Sequence, residues 1–167
     1  MIRVAMDAAS AWVSEHPEQA AYTDTLATAR LEGGLRVTVS GPDGASLTTD
    51  MPDAVGGEAS AMSPGWAFRA ALAACALSLA TMRAAQQGIA GFRCEVDVDS
   101  QSDDRGILGL DPDVPAGPSA MRIAFRMRAA GADADVLRGV AAWAVDHCPV
   151  TDATRRAVPI SVEISLA

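Results

Sequence analysis

Two of the three cysteines have surroundings that would suit redox chemistry. Cys75 lies in an alanine-rich run over 70–80, and Cys148 lies between His147 and Pro149. A peroxide-reducing pair needs one deprotonated thiol that peroxide can reach and a second thiol that resolves the sulfenic acid. Two inert core cysteines would show the same pattern, because free cysteine is among the most buried residue types. The pattern alone leaves both interpretations open.

The local sequence favours Cys148 as the thiolate. It precedes a segment that would begin a helix, where unpaired backbone N–H groups stabilise a negative sulfur, and His147 would add positive charge. Cys75 falls in mid-helix, where burial raises the pKa of a thiol. Cys75 would therefore need a cation from elsewhere, either Arg30 or Arg36 of the N-terminal strands. The third cysteine alternates with valines in a strand and is expected to be structural.

Several other kinds of chemistry are not expected. The chain has no C-x-x-C or H-x-x-x-H spacing, so we expect no metal site, and it has no glycine-rich phosphate loop that would indicate a cofactor. A net charge of -8 repels a phosphate backbone, so no nucleic-acid partner is expected. We also expect no membrane partner, because no stretch approaches the roughly 18–20 apolar residues of a membrane span. With no signal-peptide pattern, a cytoplasmic protein with reduced thiols is expected.

The order of predicted elements indicates an α+β fold. Residues 1–20 are weakly patterned and are expected to form an N-terminal appendage, followed by one domain over 21–167. Three strands of an antiparallel meander precede a long helix, which opens at Ser63-Pro64 and ends near Gly88. Then come two strands, a helix from Asp133 to His147, a short helix and a last strand. The predicted strands are 22–30, 35–39, 45–49, 92–100, 121–127 and 158–166, and the short helix is 151–156.

The long helix has an apolar stripe at three-four spacing, on which Cys75 is central. The stripe comprises Phe68, Leu72, Cys75, Leu79 and Met82. In the second half of the chain, the outward arginines of strand 121–127 are expected to face the outward acids of strand 92–100. Residues 101–118 are expected to be an acidic loop rich in glycine and proline.

These elements and motifs together resemble the OsmC/Ohr family of osmotically inducible and organic-hydroperoxide-resistance proteins. The matching stretches are the Gly56-Gly57 loop, Ser63-Pro64 at the helix start, Ala73-Ala74-Cys75, His147-Cys148-Pro149-Val150, and 157–163 in the last strand. They cover roughly residues 22–166, and their order and spacing are more specific than any one motif.

The resemblance implies an OsmC-like fold in which antiparallel sheets wrap around a long central helix in an intertwined homodimer. It also implies a thiol peroxidase that reduces organic hydroperoxides, with a dithiol such as a dihydrolipoyl group as reductant. In that family Cys75 falls on the peroxidatic position and Cys148 on the resolving one, the reverse of the local expectation. The activating arginine would be Arg30 or Arg36.

The chain departs from the family pattern at the start of the long helix. The family's peroxidases carry a glutamate two residues after the helix-opening proline, where it pairs with the activating arginine, but here that position is Trp66. Glu58 in the preceding loop is a candidate substitute. Trp66 and Phe68 are the candidate substrate-binding residues. The alternative function is a non-enzymatic OsmC-like dimer that binds a small apolar molecule and keeps its cysteines for packing.

Overall fold

The computed structural model describes residues 1–166 of the chain. Its regular elements alternate between short strands and helices of very different length. The helices are α1 (Ile2–Glu15), α2 (Pro64–Gln86), α3 (Asp104–Ile107), α4 (Ala134–His147) and α5 (Pro149–Arg155). The strands are β1 (Thr28–Gly33), β2 (Arg36–Ser40), β3 (Ser46–Thr49), β4 (Arg93–Gln101) and β5 (Ala120–Arg128). This is an α+β fold with small antiparallel sheets and one long helix, as the sequence predicts.

The contacts divide the chain into two compact units. The first unit contains Met1–Ala71 and Val98–Arg122, and the second contains Leu72–Asp97 and the chain from Ile123 onward. In the first unit β1, β2 and β3 form the expected antiparallel meander, with Leu31 opposite Val37 and Val39 opposite Leu47. The turn between β1 and β2 uses Gly34, whose φ of 55° is in the left-handed region that glycine enters without strain.

Two expectations for the N-terminal region are wrong in detail. Residues 2–15 form a complete helix although their pattern is weak, and the helix ends at Glu15, just before Pro17, which begins a 3-10 turn over Pro17–Gln19. Residues 22–27 are not in a strand, since β1 begins only at Thr28. The alternation of residue types over 22–27 is therefore not matched by a pairing strand in this structure.

Helix α2 begins at Pro64 and ends at Gln86, close to the predicted limits. The Ser63 hydroxyl accepts a hydrogen bond from the Trp66 N–H at 3.2 Å, and Gly88, with a φ of 70°, follows the last turn. Its length and composition alone would allow it to cross a bilayer, which corrects the expectation that no stretch is long enough. Central helices of soluble proteins also meet this criterion, so the finding is weak evidence for a membrane. In the protomer 17% of the apolar window is buried.

The core of the second unit forms around alanines rather than around the predicted stripe. Ala80 and Ala84 of α2 pack with Val140 and Ala144 of α4, and all four are buried. Small side chains let two helices approach closely, so the buried face of α2 is centred on alanines spaced four residues apart. Cys75 therefore lies beside this buried face and is only partly covered.

Strands β4 and β5 form the second sheet. Along β4 exposed and partly buried residues alternate, as predicted. Arg126 pairs with Glu95 and Asp97, and Arg122 pairs with Asp99, so the expected facing of arginines and acids is confirmed for these two arginines. The loop between the strands is not wholly irregular, because α3 interrupts it, with Asp103 as the N-cap that accepts a hydrogen bond from the Arg105 N–H.

The predicted last strand is not formed. Residues 158–166 have no strand assignment, and the alternating apolar residues Val158, Ile160, Val162, Ile164 and Leu166 are exposed. A strand requires a neighbouring strand to satisfy its backbone groups. Within residues 1–166 of one protomer, this segment has no partner strand.

Candidate functional site

Cys148 lies at the junction of α4 and α5 and is completely buried, with 0% of its surface exposed. Pro149 ends α4 because it has no N–H to continue the helix, and it then serves as the first residue of α5. Cys75 comes from the middle of α2 and is partly exposed. The two thiols lie close enough for each to change the pKa of the other. The structure thus brings together the two cysteines that the sequence singles out.

The surroundings of Cys148 favour its thiolate. Burial by itself would raise the pKa of Cys148, but donors around the sulfur more than offset it and the pKa is lowered. These donors are the Thr151 hydroxyl and N–H, the Cys75 thiol and the Val150 N–H. The local expectation of backbone donors near this sulfur agrees with the geometry.

Cys75 has the opposite electrostatics. Burial raises its pKa, and the neighbouring Cys148 raises it further, while the Val150 N–H partly counteracts them. Within the second unit, therefore, Cys148 is the more acidic thiol and Cys75 the more accessible one. Acidity and accessibility are divided between the two residues, so a peroxide would meet Cys75 first.

His147 does not serve as the cation that adjacency suggested. Its ring stacks on Trp143 with centroids 4.1 Å apart, and its Nδ1 lies 2.9 Å from the Trp143 carbonyl oxygen. Arg83 covers the Trp143 ring at 5.1 Å, a cation–π contact. His147 is thus engaged with its own helix, and the hydrogen bonds that lower the pKa of Cys148 come from other groups.

The candidate arginines lie in the first unit, and Arg36 is held firmly there. Its Nε donates to Glu32 at 3.1 Å across the β1–β2 turn, and its Nη1 donates to the Ser60 hydroxyl at 2.8 Å. Thr38 also donates to Glu32, and this hydrogen bond is the largest of the effects that lower the pKa of the Glu32 carboxyl, followed by that from Arg36. The guanidinium of Arg36 is therefore fixed by a carboxylate that the sequence analysis did not identify.

A buried carboxylate organises the loop that carries Ser60. Asp50 is only 2% exposed, and its oxygens accept hydrogen bonds from the Met51, Glu58 and Ser60 N–H groups and from the Ser60 hydroxyl. These bonds, led by that of the Ser60 hydroxyl, lower the pKa of Asp50. Asp50, Ser60 and Arg36 thus form one chain of contacts from the loop to β2.

The other proposed site residues have fewer partners. Glu58 donates its N–H to Asp50, whereas the carboxylate bonded to Arg36 belongs to Glu32. Arg30 is exposed on β1. Trp66 and Phe68 lie exposed in the first turns of α2, with 50% and 37% of their surface accessible.

A cavity of about 280 Å³ lies within the first unit beside the start of α2. Phe68 and Arg69 line it together with residues of the loops around Met51 and Ile107. Arg69 donates to the Ser100 hydroxyl at 3.4 Å. The cavity has a mostly apolar lining whose charged members are Arg69, Asp103 and Asp104, which would suit a small, largely apolar molecule.

Side chains that could bind a metal ion do not cluster in the described part of the chain. Among residues 1–166, no three histidine, cysteine or acidic side chains gather to hold a metal ion. The third cysteine, Cys94, packs against the core of the second unit, and burial raises the pKa of its thiol. Cys94 thus belongs to the core of the second unit, whereas Cys75 and Cys148 are the two cysteines that influence each other.

Comparison with known proteins agrees with this arrangement. The profile of the family described as OsmC-like protein matches residues 57–163, a stretch that includes both cysteines. The chain belongs to the OsmC-like protein family. The resemblance noted in the sequence is thereby confirmed for the family and the fold. No curated protein sequence matches the chain.

Solved OsmC-like structures share the fold. An organic hydroperoxide resistance protein from Legionella pneumophila is 25% identical, covers 81% of this chain and 91% of its own, and has a TM-score of 0.57. The organic hydroperoxide resistance protein OhrB of Bacillus subtilis is 22% identical over 82% and 94% of the two chains, with a TM-score of 0.54. An OsmC-like protein from Mycoplasma pneumoniae is 17% identical over 82% and 91%, with a TM-score of 0.68.

Sequence reasoning missed four residues that are linked to candidate site residues within their own units. Glu32 has a signal in the sequence, since the Gly33-Gly34 turn separates it from Arg36 and a tight turn brings such positions together. Asp50 and Ser60 have no spacing that would have indicated their contact. Thr151 is three residues after Cys148, which is the N-cap of α5, and at the start of a helix the third residue can contact the N-cap residue.

Proposed function

We propose that this protein is a thiol-dependent peroxidase that reduces organic hydroperoxides through Cys75 and Cys148. The observation that carries the proposal is the contact between a partly exposed thiol and a buried thiol of lowered pKa. The family membership and the names of the solved relatives support the substrate class. A dithiol such as a dihydrolipoyl group would serve as the reductant, and a reducing compartment such as the cytoplasm would keep the resting thiols reduced.

The cycle would proceed in three balanced steps. The Cys75 thiolate attacks the terminal peroxide oxygen, the O–O bond breaks, and the alkoxide takes a proton to leave as an alcohol. The Cys148 thiolate then attacks the sulfur of the Cys75 sulfenic acid, forming a disulfide and releasing hydroxide, which takes a proton to become water. Finally the dithiol opens this disulfide by exchange and leaves as its own disulfide, so that both cysteines are reduced again.

The raised pKa of Cys75 means that the first step needs a cation. We propose that Arg30 or Arg36 supplies it, and Arg36 is the stronger candidate because Glu32 and Ser60 fix its guanidinium. A positive charge close to a thiolate lowers its pKa. Accordingly, Arg36→Met should slow the reaction of Cys75 with peroxide more than Arg30→Met does.

We propose that the active form is a homodimer. Most of the apolar window of α2 is uncovered in the protomer, and five alternating apolar residues of 158–166 are exposed. A second copy would cover apolar surface of this extent and give the last segment a strand to pair with. Light scattering should therefore give twice the 17.2 kDa chain mass.

One substitution and a matched control test the dimer. Ile160→Asp places a charge on the apolar face of the last segment, while Ser161→Asp places the same charge on the opposite face. Ile160→Asp should shift the mass toward the monomer, and Ser161→Asp should leave it unchanged. A monomeric wild type, or a dimer indifferent to Ile160→Asp, would contradict this part of the proposal.

Stopped-flow kinetics with cumene hydroperoxide and dihydrolipoamide test the activity. The wild type should lose two thiols per hydroperoxide and recover them when the dithiol is added. Cys75→Ser should abolish the reaction, whereas Cys148→Ser should still react once and stop at a sulfenic acid. Cys94→Ser is the matched control and should turn over normally, because that cysteine lies in the core away from the pair.

The result that would refute the peroxidase is specific. If the wild type loses no thiol with cumene hydroperoxide, or if Cys75→Ser reacts at the wild-type rate, the proposed activity is wrong. A disulfide that includes Cys94 would contradict the assignment of the pair while leaving the activity in place.

A second candidate function rests on the cavity at the start of α2 and on the aromatic residues nearby. Phe68 lines that cavity, and Trp66 is exposed where the family's peroxidases carry a glutamate. A dimer that binds a small apolar ligand without catalysis would use these residues. Binding of an apolar fluorescent probe, lost in Phe68→Ser and accompanied by no peroxide-dependent thiol loss, would favour this function over the peroxidase.

A further inference from the structure

The Thr151 hydroxyl is a buried polar group whose bonding is incomplete. Thr151 is 3% exposed, and within the described residues its Oγ1 has no partner with full hydrogen-bond geometry. Cys148 is the N-cap of α5 and Thr151 is the third residue of that helix, a spacing that brings an N-cap side chain and the third residue together, and Thr151 lowers the pKa of Cys148. Buried hydroxyls are normally hydrogen-bonded, so an unsatisfied one calls for a physical explanation.

The surroundings of the Cys148 sulfur explain it. Besides Thr151, the Cys75 thiol and the Val150 N–H lower the pKa of Cys148, so the polar neighbours of this sulfur act as donors. A neutral thiol is a weak acceptor, whereas a thiolate is a strong one. The Thr151 hydroxyl is therefore placed for a sulfur that carries negative charge, and its bonding becomes complete only in that state.

The charged groups near this junction are already paired. Asp146 bonds to Arg155 at 3.2 Å, and Asp152 bonds to Arg156 at 2.5 Å. Cys75 is the titratable group that faces Cys148 from α2. The charge on Cys148 is thus set by short-range donors, among which Thr151 is the one side-chain hydroxyl.

We propose that the Thr151 hydroxyl is the donor that stabilises negative charge on the Cys148 sulfur when the Cys75–Cys148 disulfide forms and when it is reduced. This inference rests on the proposed peroxidase function. In the first event the Cys148 thiolate attacks the Cys75 sulfenic acid, the S–S bond forms and hydroxide leaves to become water. In the second, a thiolate of the dithiol attacks the Cys75 sulfur, the S–S bond breaks and the electron pair returns to Cys148.

The role is selective for two of the three chemical steps. Attack of Cys75 on the peroxide forms no bond to Cys148, so Thr151 can affect that step only through the electrostatic coupling between the two thiols. Closure and reopening of the disulfide both need a charged Cys148, as the nucleophile in one and as the leaving group in the other. A group that stabilises only the charged state accelerates those steps and no others.

The test uses three variants of the full-length protein, each in a Cys94→Ser background. Thr151→Val removes the hydroxyl at nearly constant volume, and Thr151→Ser retains it. Thr154→Val is the matched control, since the Thr154 hydroxyl on the same helix donates to the Thr151 carbonyl oxygen at 2.7 Å rather than to sulfur. Dimedone trapping and mass spectrometry after a pulse of cumene hydroperoxide measure how long the Cys75 sulfenic acid survives.

In Thr151→Val the sulfenic acid should close to the disulfide about threefold more slowly, because one lost hydrogen bond to a charged group reduces the thiolate fraction of Cys148 about tenfold and the higher nucleophilicity of the more basic thiolate offsets part of that loss. Thr151→Ser and Thr154→Val should close at the wild-type rate. The initial rate of peroxide consumption should be no lower in Thr151→Val than in the wild type, because a Cys148 with less negative charge opposes ionisation of Cys75 less. Wild-type closure in Thr151→Val, or equal slowing in Thr154→Val, would overturn the inference.

A second measurement separates this inference from the proposed function. In a Cys75→Ser, Cys94→Ser protein, absorbance at 240 nm follows ionisation of Cys148 alone, with no peroxide present. Thr151→Val in that protein should raise the pKa of Cys148, and Thr151→Ser should leave it near that of the parent. If the pKa does not rise, the inference fails even in an active peroxidase. If it rises but the wild type ignores peroxide, only the peroxidase proposal fails.

Discussion

Replacing Thr151 with valine should make the protein more stable at low pH while impairing its redox cycle. The hydroxyl is buried without a fully formed hydrogen bond. Leaving such a group unsatisfied costs about 1–3 kcal/mol. Because the hydroxyl interacts weakly with the Cys148 sulfur, the gain from removing it should be near the lower limit, about 1 kcal/mol. In a domain of this size that corresponds to a rise in Tm of about 2–4 °C.

The sign of this effect should reverse as the pH rises. The folded-state pKa of Cys148 is lowered, so its ionisation contributes stability that is present above the unfolded pKa and is lost as pH falls through the folded pKa. The Thr151 hydroxyl supplies part of that contribution. The valine variant should therefore be the more stable protein at pH 6, and its advantage should shrink and then reverse above about pH 8.5, the usual pKa of a free thiol.

Urea unfolding at pH 6 and at a pH above about 8.5 measures the difference in the free energy of unfolding. Both proteins are compared at one chain concentration, with a reductant present, because association and disulfide formation would each change the apparent stability. Cys75, whose pKa is raised partly by Cys148, contributes the opposite pH dependence, so both proteins carry Cys75→Ser and the difference between them then reports on Thr151 alone. If Thr151→Val loses about 1 kcal/mol or more at pH 6, the hydroxyl is already satisfied in the thiol state and the reasoning is wrong.

Three further changes test the packing and the loop network. Val140→Ala should lower the free energy of unfolding by about 2 kcal/mol in urea titrations, from two lost methyl groups plus the cavity they leave among buried alanines. Asp50→Asn should lower stability at neutral pH. Because the Asp50 pKa is lowered in the folded protein, the wild type should lose stability between pH 5 and pH 2, and Asp50→Asn should lose less over that range, as followed by circular dichroism. Gly57→Ala should cost about 1–3 kcal/mol, because a Cβ there would lie 1.9 Å from the Met51 carbonyl oxygen, whereas Gly65→Ala, 3.8 Å from the flexible Arg69, should cost nothing measurable by thermal unfolding.

The fold was predictable where the apolar spacing of a segment and the turn or capping residues at its ends indicate the same element. The meander, the limits of α2 and α4, and the alternation along β4 follow from turn residues, caps and apolar spacing. The face that α2 buries was not predictable, because hydrophobicity ranks Leu79 above Ala80. Close approach of α4 reverses that order, and only the packed pair shows it. The prediction of a last strand was wrong for a related reason, because the local sequence does not determine whether a segment has a neighbouring strand to pair with.

The candidate site could also be predicted only in part. Cys75 and Cys148 could be identified from residue type and setting, and their contact was an expectation of the family resemblance. Their electrostatics could be only half predicted: the backbone donors beside Cys148 follow from the position of Pro149, but the Thr151 hydroxyl depends on a side-chain direction. The expectation that His147 adds positive charge beside Cys148 was wrong, because its ring stacks on Trp143 instead of lying beside the buried sulfur.

The departure at Trp66 has less effect on the arginine than the sequence suggested. A pairing carboxylate fixes the position and orientation of the planar guanidinium, and that requirement concerns geometry rather than a position in the sequence. Glu32 meets it at 3.1 Å from Arg36, and Asp50 reinforces it through Ser60. Glu32→Gln should therefore weaken peroxide reduction in the way expected for loss of the family's glutamate, while Trp66→Glu should restore little. If Glu32→Gln reacts with cumene hydroperoxide at the wild-type rate, Arg36 is not the cation that activates Cys75.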